Sequence, residues 1–199
     1  IEALAEFLNR MGANITGAGS RVIVIQGVPS LGGGEFTIIP DRIEAGTFLA
    51  AAAITNSALS LYPVIPHHLH STIAALERTG CQLNMDTQTD TLHFTPATKL
   101  LATDITTEPF PAFPTDLQPQ FMALLTQAHG MSLIEETVFE SRMGTAQQLR
   151  NMGARAEVSD RDGKKGSRSC IYGSGGTDAK LQGTDVKGSD LRGAAALVL

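Results

Sequence analysis

The sequence predicts an α/β fold built from a repeated helix–strand–helix–strand–strand unit, whose helices can cover one sheet. Three segments each carry a helix that ends at a glycine and leads into a strand, and their leucines lie 68 and 73 positions apart (76 − 8 and 149 − 76). These segments are 8–13, 76–81 and 149–154. Three aspartates, each ahead of an apolar helix, lie 75 and 74 positions apart (116 − 41 and 190 − 116). They are Asp41, Asp116 and Asp190. A period of about 70 residues exceeds the roughly 20 to 50 of solenoid repeats.

The first elements follow from apolar spacing and turn residues. Apolar residues at helical spacing predict an amphipathic helix over residues 1–15, ended by Gly12. Runs rich in Val, Ile and Phe predict strands over 21–26 and 36–39. The apolar run 45–54 predicts the helix that opens the next unit.

Two features distinguish the later units. Cys81 stands where the matching segments carry Ala13 and Ala154, which predicts a small buried thiol rather than a reactive one. The third unit contains the charged, glycine-bearing insert 160–168, which interrupts two strands. We expect a flexible hairpin tip at the surface, with a basic binding loop as the alternative.

The stretch 110–121 is the most informative part of the chain. Prolines at 109, 111 and 114 keep the approach extended, because proline fixes φ and disfavours helix in the preceding residue. Thr115 and Asp116 then offer side-chain oxygens where the pattern becomes helical, with Pro119 in the first turn. Local chemistry favours a helix cap at Asp116. A carboxylate on a stiff loop at the positive end of a helix is also suited to a base or to an anion site.

Acid–arginine pairs recur at strand-to-helix junctions. Glu140 and Arg142 follow the predicted strand 131–134, and the next unit carries Asp190 and Arg192. Asp41 and Arg42 form the corresponding pair in the preceding unit. A planar guanidinium binds phosphate and carboxylate through two parallel hydrogen bonds, so these pairs predict a charged ring at one end of the domain. The alternative is a set of local surface ion pairs of little energetic weight.

Composition limits the class of protein. The 199 residues are 42% hydrophobic and 18% charged with a net charge of −5, an ordinary globular balance. The absence of a basic tract argues against a nucleic-acid partner. No apolar run approaches the roughly 20 residues of a membrane span, and without a signal peptide we expect a cytoplasmic protein. We expect no metal and no cofactor, and we interpret the histidines at 67, 68 and 70 as a polar helix start.

The chain begins within a helix and ends on the apolar run 194–199, so we expect a piece of a longer protein.

Four motifs, in order along essentially the whole chain, resemble the UDP-N-acetylglucosamine enolpyruvyl transferase family. The motifs lie at 31–48, 113–121, 136–142 and 190–192. The resemblance implies two inside-out α/β barrel domains, each of three repeats with helices in the core. Residues 1–40 would end the first domain, and residues 41–199 would form two repeats and the start of a third in the second domain.

The resemblance implies a reaction. The family transfers an enolpyruvyl group from phosphoenolpyruvate to the 3-hydroxyl of UDP-N-acetylglucosamine and releases phosphate, the first committed step of peptidoglycan synthesis. Asp116 would bind that hydroxyl and accept its proton. The backbone of Val138 would contact the UDP-sugar, and Arg142 would bind the phosphoenolpyruvate anion.

The remaining site residues come from the same resemblance. Asp190 and Arg192 would line the cleft, and Arg42 would bind substrate where the two domains join. The proton donor of the family, a cysteine or aspartate on a mobile loop, is expected outside these 199 residues, and Cys170 does not replace it. The alternative function is a non-catalytic α/β module that binds a sugar nucleotide or a partner protein. A preceding half with a proton-donating cysteine or aspartate would distinguish the two.

Overall fold

A computed structural model of the chain describes residues 1–139, 142–161, 164–175, 181–188 and 190–199. The chain divides into two compact units, Ile1–Pro40 and Asp41–Leu199. Each unit is described by itself below.

The first unit is one helix followed by a two-stranded antiparallel hairpin. Its elements are α1 (Glu2–Arg10), β1 (Asn14–Thr16) and β2 (Val24–Gln26). The predicted helix ends early because Gly12 takes a positive φ of 98°, which an L side chain rarely adopts. The strand predicted over 36–39 is wrong. Phe36 instead packs on α1, with its ring 5.3 Å from that of Phe7 and the guanidinium of Arg10 5.2 Å above it.

The second unit opens with the predicted repeat. Its first five elements are α2 (Arg42–Ile54), β3 (Leu59–Leu61), α3 (Pro66–Arg78), β4 (Gln82–Asp86) and β5 (Thr91–Thr95). The strands form a sheet in the order β3-β5-β4, antiparallel throughout.

The same order then recurs. The elements are β6 (Ile105–Thr106), a short 3-10 helix (Thr115–Leu117), α4 (Gln118–Leu125), β7 (Met131–Glu136), α5 (Gly144–Asn151), β8 (Arg155–Arg161), β9 (Lys164–Tyr172) and α6 (Leu191–Ala196). Strands β7-β9-β8 repeat the order and the antiparallel directions of β3-β5-β4, and β6 adds to β7 in parallel. The helix–strand–helix–strand–strand repeat is confirmed.

The core of the second unit is helical. Every residue of α4 is buried, including Gln118 and Gln120, and α4 contacts α2, α5, α6 and β7. Strand β8, in contrast, exposes most of its residues. The fully buried helix α4 therefore lies at the centre of this unit, with other helices and β7 packed against it.

Two predictions about the later units concern Cys81 and the insert 160–168. Cys81 is 4% exposed, so the buried thiol is confirmed. The hairpin expected at the insert 160–168 is confirmed, because β8 and β9 pair in antiparallel fashion across it, but the two strands extend further into the insert than expected. Its tip, residues 162–163, lies outside the described ranges. Arg161 Nε lies 3.2 Å from Glu135 Oε1, which anchors the hairpin to β7. Within the described ranges, no helix is both long enough and apolar enough to cross a membrane.

The substitution Gly46→Ala is expected to destabilise the second unit. A Cβ at Gly46 would overlap Cδ1 of Leu117 and lie 3.2 Å from its Cγ, and Leu117 is fully buried. Overpacking costs about 1–3 kcal/mol, and the better helix propensity of alanine offsets at most about 1 kcal/mol of it. Denaturant unfolding should show the loss. Gly183→Ala is the control, since its Cβ would meet no atom within 4 Å. Equal stability of both variants would contradict close packing of α2 on the 3-10 helix.

Candidate active site

The three repeat-related aspartates do not behave alike. Asp41 Oδ1 accepts hydrogen bonds from the backbone N–H groups that open α2, and Asp190 Oδ1 does the same for α6. The cap predicted at Asp116 is wrong, because neither the 3-10 helix nor α4 has a side-chain cap. The carboxylate of Asp116 is directed elsewhere, and this departure from the repeat marks the site.

Asp116 pairs with Arg142. Arg142 Nη1 lies 2.8 Å from Asp116 Oδ1 and also donates to Thr115 Oγ1 at 3.2 Å. The guanidinium lies 4.5 Å from the centre of the Phe139 ring, a cation–π geometry. The Arg142 side chain is 9% exposed and that of Asp116 is 40% exposed. The arginine is therefore nearly buried, while the carboxylate of Asp116 is accessible to solvent.

The start of α6 completes the charged cluster. Arg192 Nη2 lies 3.8 Å from Asp116 Oδ2, and Asp190 Oδ1 lies 3.8 Å from Arg142 Nε. Two carboxylates and two guanidinium groups therefore alternate in sign, in the order Asp190, Arg142, Asp116 and Arg192. Because Arg192 is 29% exposed and Asp190 21% exposed, a ligand can approach the cluster from this side.

A buried carboxylate lies behind the cluster, at the end of β7. Glu136 has no exposed surface and accepts four hydrogen bonds. Oε1 accepts from Thr107 Oγ1 at 2.6 Å and from the N–H groups of Val138 and Phe139 at 2.9 Å each. Oε2 accepts from Thr115 Oγ1 at 2.9 Å. Polar atoms that are buried require such hydrogen bonds.

The backbone N–H groups of residues 137–139, directly after β7, are all engaged in hydrogen bonds. Thr137 N donates to Thr107 Oγ1 at 3.0 Å, and the next two N–H groups donate to Glu136. The Val138 side chain is 44% exposed. Since the N–H of Val138 is already engaged, a ligand that binds this backbone would meet the carbonyl oxygen.

The sequence-predicted site residues are therefore only partly brought together. Asp116, Arg142, Asp190 and Arg192 form one cluster, and the segment of Val138 borders it. Arg42 is not part of the ion pairs described for this cluster, and its guanidinium lies 5.4 Å from the centre of the Phe110 ring. Glu140 lies outside the described residues.

Sequence reasoning missed two contributors. The sequence pattern indicates for Thr115 only a place at the helix start, yet its hydroxyl joins Glu136 to Arg142. Glu136 received no role, although a signal exists in the alternation of β7. Ser132, Ile134 and Glu136 share the buried face of that strand. A glutamate in line with core residues needs several hydrogen-bond donors, which indicates a constructed site.

The arrangement suits proton transfer beside an anion. A half-exposed carboxylate can accept a proton from a hydroxyl within hydrogen-bond reach. The two guanidinium groups next to it offer donors to a phosphate or carboxylate. Among the described residues, no group of three His, Cys, Asp or Glu side chains could hold a metal ion.

Comparison with known proteins places this geometry in a family. The model of the family described as EPSP synthase (3-phosphoshikimate 1-carboxyvinyltransferase) matches residues 1–199. The chain belongs to the EPSP synthase family. It is 48% identical over 199 residues to UDP-N-acetylglucosamine 1-carboxyvinyltransferase 2 of Prochlorococcus marinus, covering 100% of the chain and 44% of that protein. It is 47% identical over 196 residues to UDP-N-acetylglucosamine 1-carboxyvinyltransferase of Gloeobacter violaceus, covering 98% of the chain and 40% of that protein.

These relatives confirm the resemblance that the four motifs indicated. The chain spans less than half the length of each of these two relatives. Solved structures of the EPSP synthase family agree on the fold. The enolpyruvyl transferase NikO from Streptomyces tendae matches with a TM-score of 0.80 at 30% identity, covering 99% of this chain and 45% of that chain. EPSP synthase from Acinetobacter baumannii, at 19% identity and a TM-score of 0.66 over 96% of this chain and 45% of its own, supports the fold alone. The predicted α/β fold of the enolpyruvyl transferase type is confirmed.

Proposed function

We propose that the intact protein containing this chain transfers the enolpyruvyl group of phosphoenolpyruvate to the 3-hydroxyl of UDP-N-acetylglucosamine and releases phosphate. One observation carries the proposal. Of three repeat-related aspartates, Asp116 alone caps no helix, and its half-exposed carboxylate instead pairs with a buried arginine. The relatives named UDP-N-acetylglucosamine 1-carboxyvinyltransferase supply the reaction to which this carboxylate is assigned.

Asp116 is the base in this proposal. The 3-hydroxyl of the sugar donates a hydrogen bond to one oxygen of Asp116 and loses its proton as its oxygen attacks C2 of phosphoenolpyruvate. The contact with Arg142 holds the carboxylate in place, which reduces the entropy cost of reaching the reacting geometry. The carbonyl oxygen of Val138 binds the UDP-sugar, because the N–H of this residue is engaged with Glu136.

The cations serve the second substrate. Arg142 binds the phosphoenolpyruvate anion, while Asp190 and Arg192 line the cleft beside it. Arg42 binds substrate from the start of α2. The units Ile1–Pro40 and Asp41–Leu199 are assigned to the end of one enolpyruvyl transferase domain and to two repeats and the start of a third in the next. The proton donor to the methylene carbon belongs to the remaining part of the protein.

The reaction indicates a setting. Both substrates are small anionic metabolites of the cytoplasm, and the product enters peptidoglycan synthesis. We therefore assign the protein to the cytoplasm and to cell-wall formation.

The acceptor decides between activities within the EPSP synthase family. The intact protein is incubated with phosphoenolpyruvate and either UDP-N-acetylglucosamine or 3-phosphoshikimate, and phosphate release is followed. Release that requires the UDP-sugar supports the proposal. Phosphate release that requires 3-phosphoshikimate instead would contradict the proposal. Phosphate release from phosphoenolpyruvate in the absence of both acceptors would contradict it as well.

The substitution Arg142→Lys is expected to weaken phosphoenolpyruvate more than the UDP-sugar. Lysine keeps the charge but loses the planar fork that meets an anion with two hydrogen bonds. We expect KM for phosphoenolpyruvate to rise by about 10- to 100-fold, with a smaller change for the UDP-sugar. Arg150→Lys is the matched control, because Arg150 is an exposed residue in the last turn of α5. An equal loss for both substrates would argue against the assigned role.

A further inference from the structure

We infer that Glu136 is a positioning residue for the transfer, and this inference rests on the proposed function. Its carboxylate orients Arg142 through Thr115, and Arg142 in turn orients Asp116. The same carboxylate fixes the backbone of Val138. One buried group thereby sets the relative positions of the base and of the backbone that binds the UDP-sugar.

The direction of the hydrogen bonds is set by the chemistry of the groups. The Thr115 hydroxyl donates to Glu136 Oε2. The Thr115 oxygen is then oriented to accept from Arg142 Nη1, which cannot accept itself. The same Nη1 donates to Asp116 at 2.8 Å. The hydrogen bonds therefore run in one direction, from Arg142 through Thr115 to Glu136.

Glu136 also supports Arg142 from its other side. The Phe139 ring lies under the guanidinium, and Phe139 N donates to Glu136 Oε1 at 2.9 Å. The position of the guanidinium thus depends on Glu136 twice, through the Thr115 hydroxyl and through the segment that carries the ring. Misplacement of reacting groups by as little as about 1 Å can cost 10²-fold in rate.

Glutamine at position 136 would disturb this order without changing size. Each of the two carboxylate oxygens receives donors, whereas an amide has one oxygen and one NH2 group. With the NH2 group toward Thr115, the hydroxyl proton loses its acceptor. With the NH2 group toward Val138 and Phe139, two backbone N–H groups lose theirs. Either orientation therefore removes an acceptor that Glu136 provides.

The experiment compares single variants and one double variant of the intact protein. Glu136→Gln replaces one acceptor oxygen of the carboxylate with an NH2 donor. Thr115→Val removes the hydroxyl group at nearly constant shape, and Thr115→Ser keeps the hydroxyl group. Glu135→Gln is the control, because Glu135 is adjacent on the opposite face of β7 and pairs with Arg161 rather than with the cluster. Measured are kcat, both KM values, thermal stability and the exchange rates of the Val138 and Phe139 amide protons.

The expected kinetics identify positioning. Glu136→Gln and Thr115→Val should each lower kcat by about 10- to 100-fold, and Thr115→Ser should restore most of it. The double variant Glu136→Gln with Thr115→Val should lose little more than the worse single variant, because both remove one hydrogen bond. Glu135→Gln should stay within about threefold of the wild type. Full activity of Thr115→Val, or losses that multiply in the double variant, would overturn the inference.

The amide exchange separates this inference from the proposed function. Glu136→Leu, which removes both carboxylate oxygens, should accelerate exchange at Val138 and Phe139, whereas Thr115→Val and Glu135→Gln should not. If the wild-type protein transfers no enolpyruvyl group, the proposed function fails. Unchanged exchange in a folded Glu136→Leu variant would overturn the structural role of Glu136 by itself. If Glu136→Gln does not fold, the comparison of Thr115→Val with Thr115→Ser decides.

Discussion

The substitution Asp116→Asn in the intact protein is expected to lower kcat by a factor on the order of 10² to 10⁴, the usual contribution of a general base. Asparagine cannot accept the proton of the sugar hydroxyl. Its amide oxygen can still accept from Arg142 Nη1, and Thr115 keeps its own contact with that arginine. The fold should therefore persist, with a stability loss of about 1 kcal/mol from the weakened ion pair.

A matched carboxylate provides the control. Asp104 Oδ1 accepts from Leu133 N at 2.8 Å and lies outside the charged cluster. Asp104→Asn should leave kcat near the wild-type value, since an amide oxygen can accept the same hydrogen bond. An Asp116→Asn variant with unchanged kcat would show that this carboxylate only fixes Arg142. Parallel losses in both variants would indicate a general effect on the fold.

The 199-residue chain alone is expected to show no transferase turnover and at most weak binding of the UDP-sugar. The reaction needs a base at the attacking hydroxyl and an acid at the carbon that becomes a methyl group, both held close to the reacting atoms. We assign Asp116 as the base. Cys170 lies in β9, paired in register with Leu133 and Glu157, so we do not assign it as the acid.

Electrostatics and solvent exposure also lead us to expect an inactive chain. Phosphoenolpyruvate carries several negative charges, and we assign further cations to the remaining part of the protein. Without closure of a second domain, water would stay in contact with the reacting groups. The test is phosphate release by the purified chain beside the intact protein, with thermal unfolding to verify that the chain is folded. Turnover within about tenfold of the intact protein would contradict the account and require an acid within these residues.

The fold was predictable because its signals are local. Helices that end at glycine, apolar residues at helical spacing and regularly spaced aspartates are all visible in the sequence, and they gave the repeat that the sheets β3-β5-β4 and β7-β9-β8 display. The strand expected over 36–39 failed for a tertiary reason, since Phe36 packs its ring on α1. The hairpin at the insert 160–168 was predictable, but the length of its strands was not, because charged residues are not typical of strands.

The site was predictable only in part. Local chemistry assigned Asp116 to a cap, as it correctly would for Asp41 and Asp190. What overrides the cap is Arg142, a residue 26 positions away whose approach depends on the folded unit. The pairing of Glu136 with Thr115 likewise joins residues 21 positions apart. Roles that depend on such long-range contacts are not encoded in local patterns.

A crystal structure of the intact protein with UDP-N-acetylglucosamine bound tests the central claim most directly. The account predicts a carboxylate oxygen of Asp116 within about 2.6–3.2 Å of the sugar 3-hydroxyl, the reach of a general base. Arg142 should still contact Asp116, and the carbonyl oxygen of Val138 should face the sugar nucleotide. A 3-hydroxyl directed at another side chain, with Asp116 bound only to its arginines, would contradict the assignment of the base.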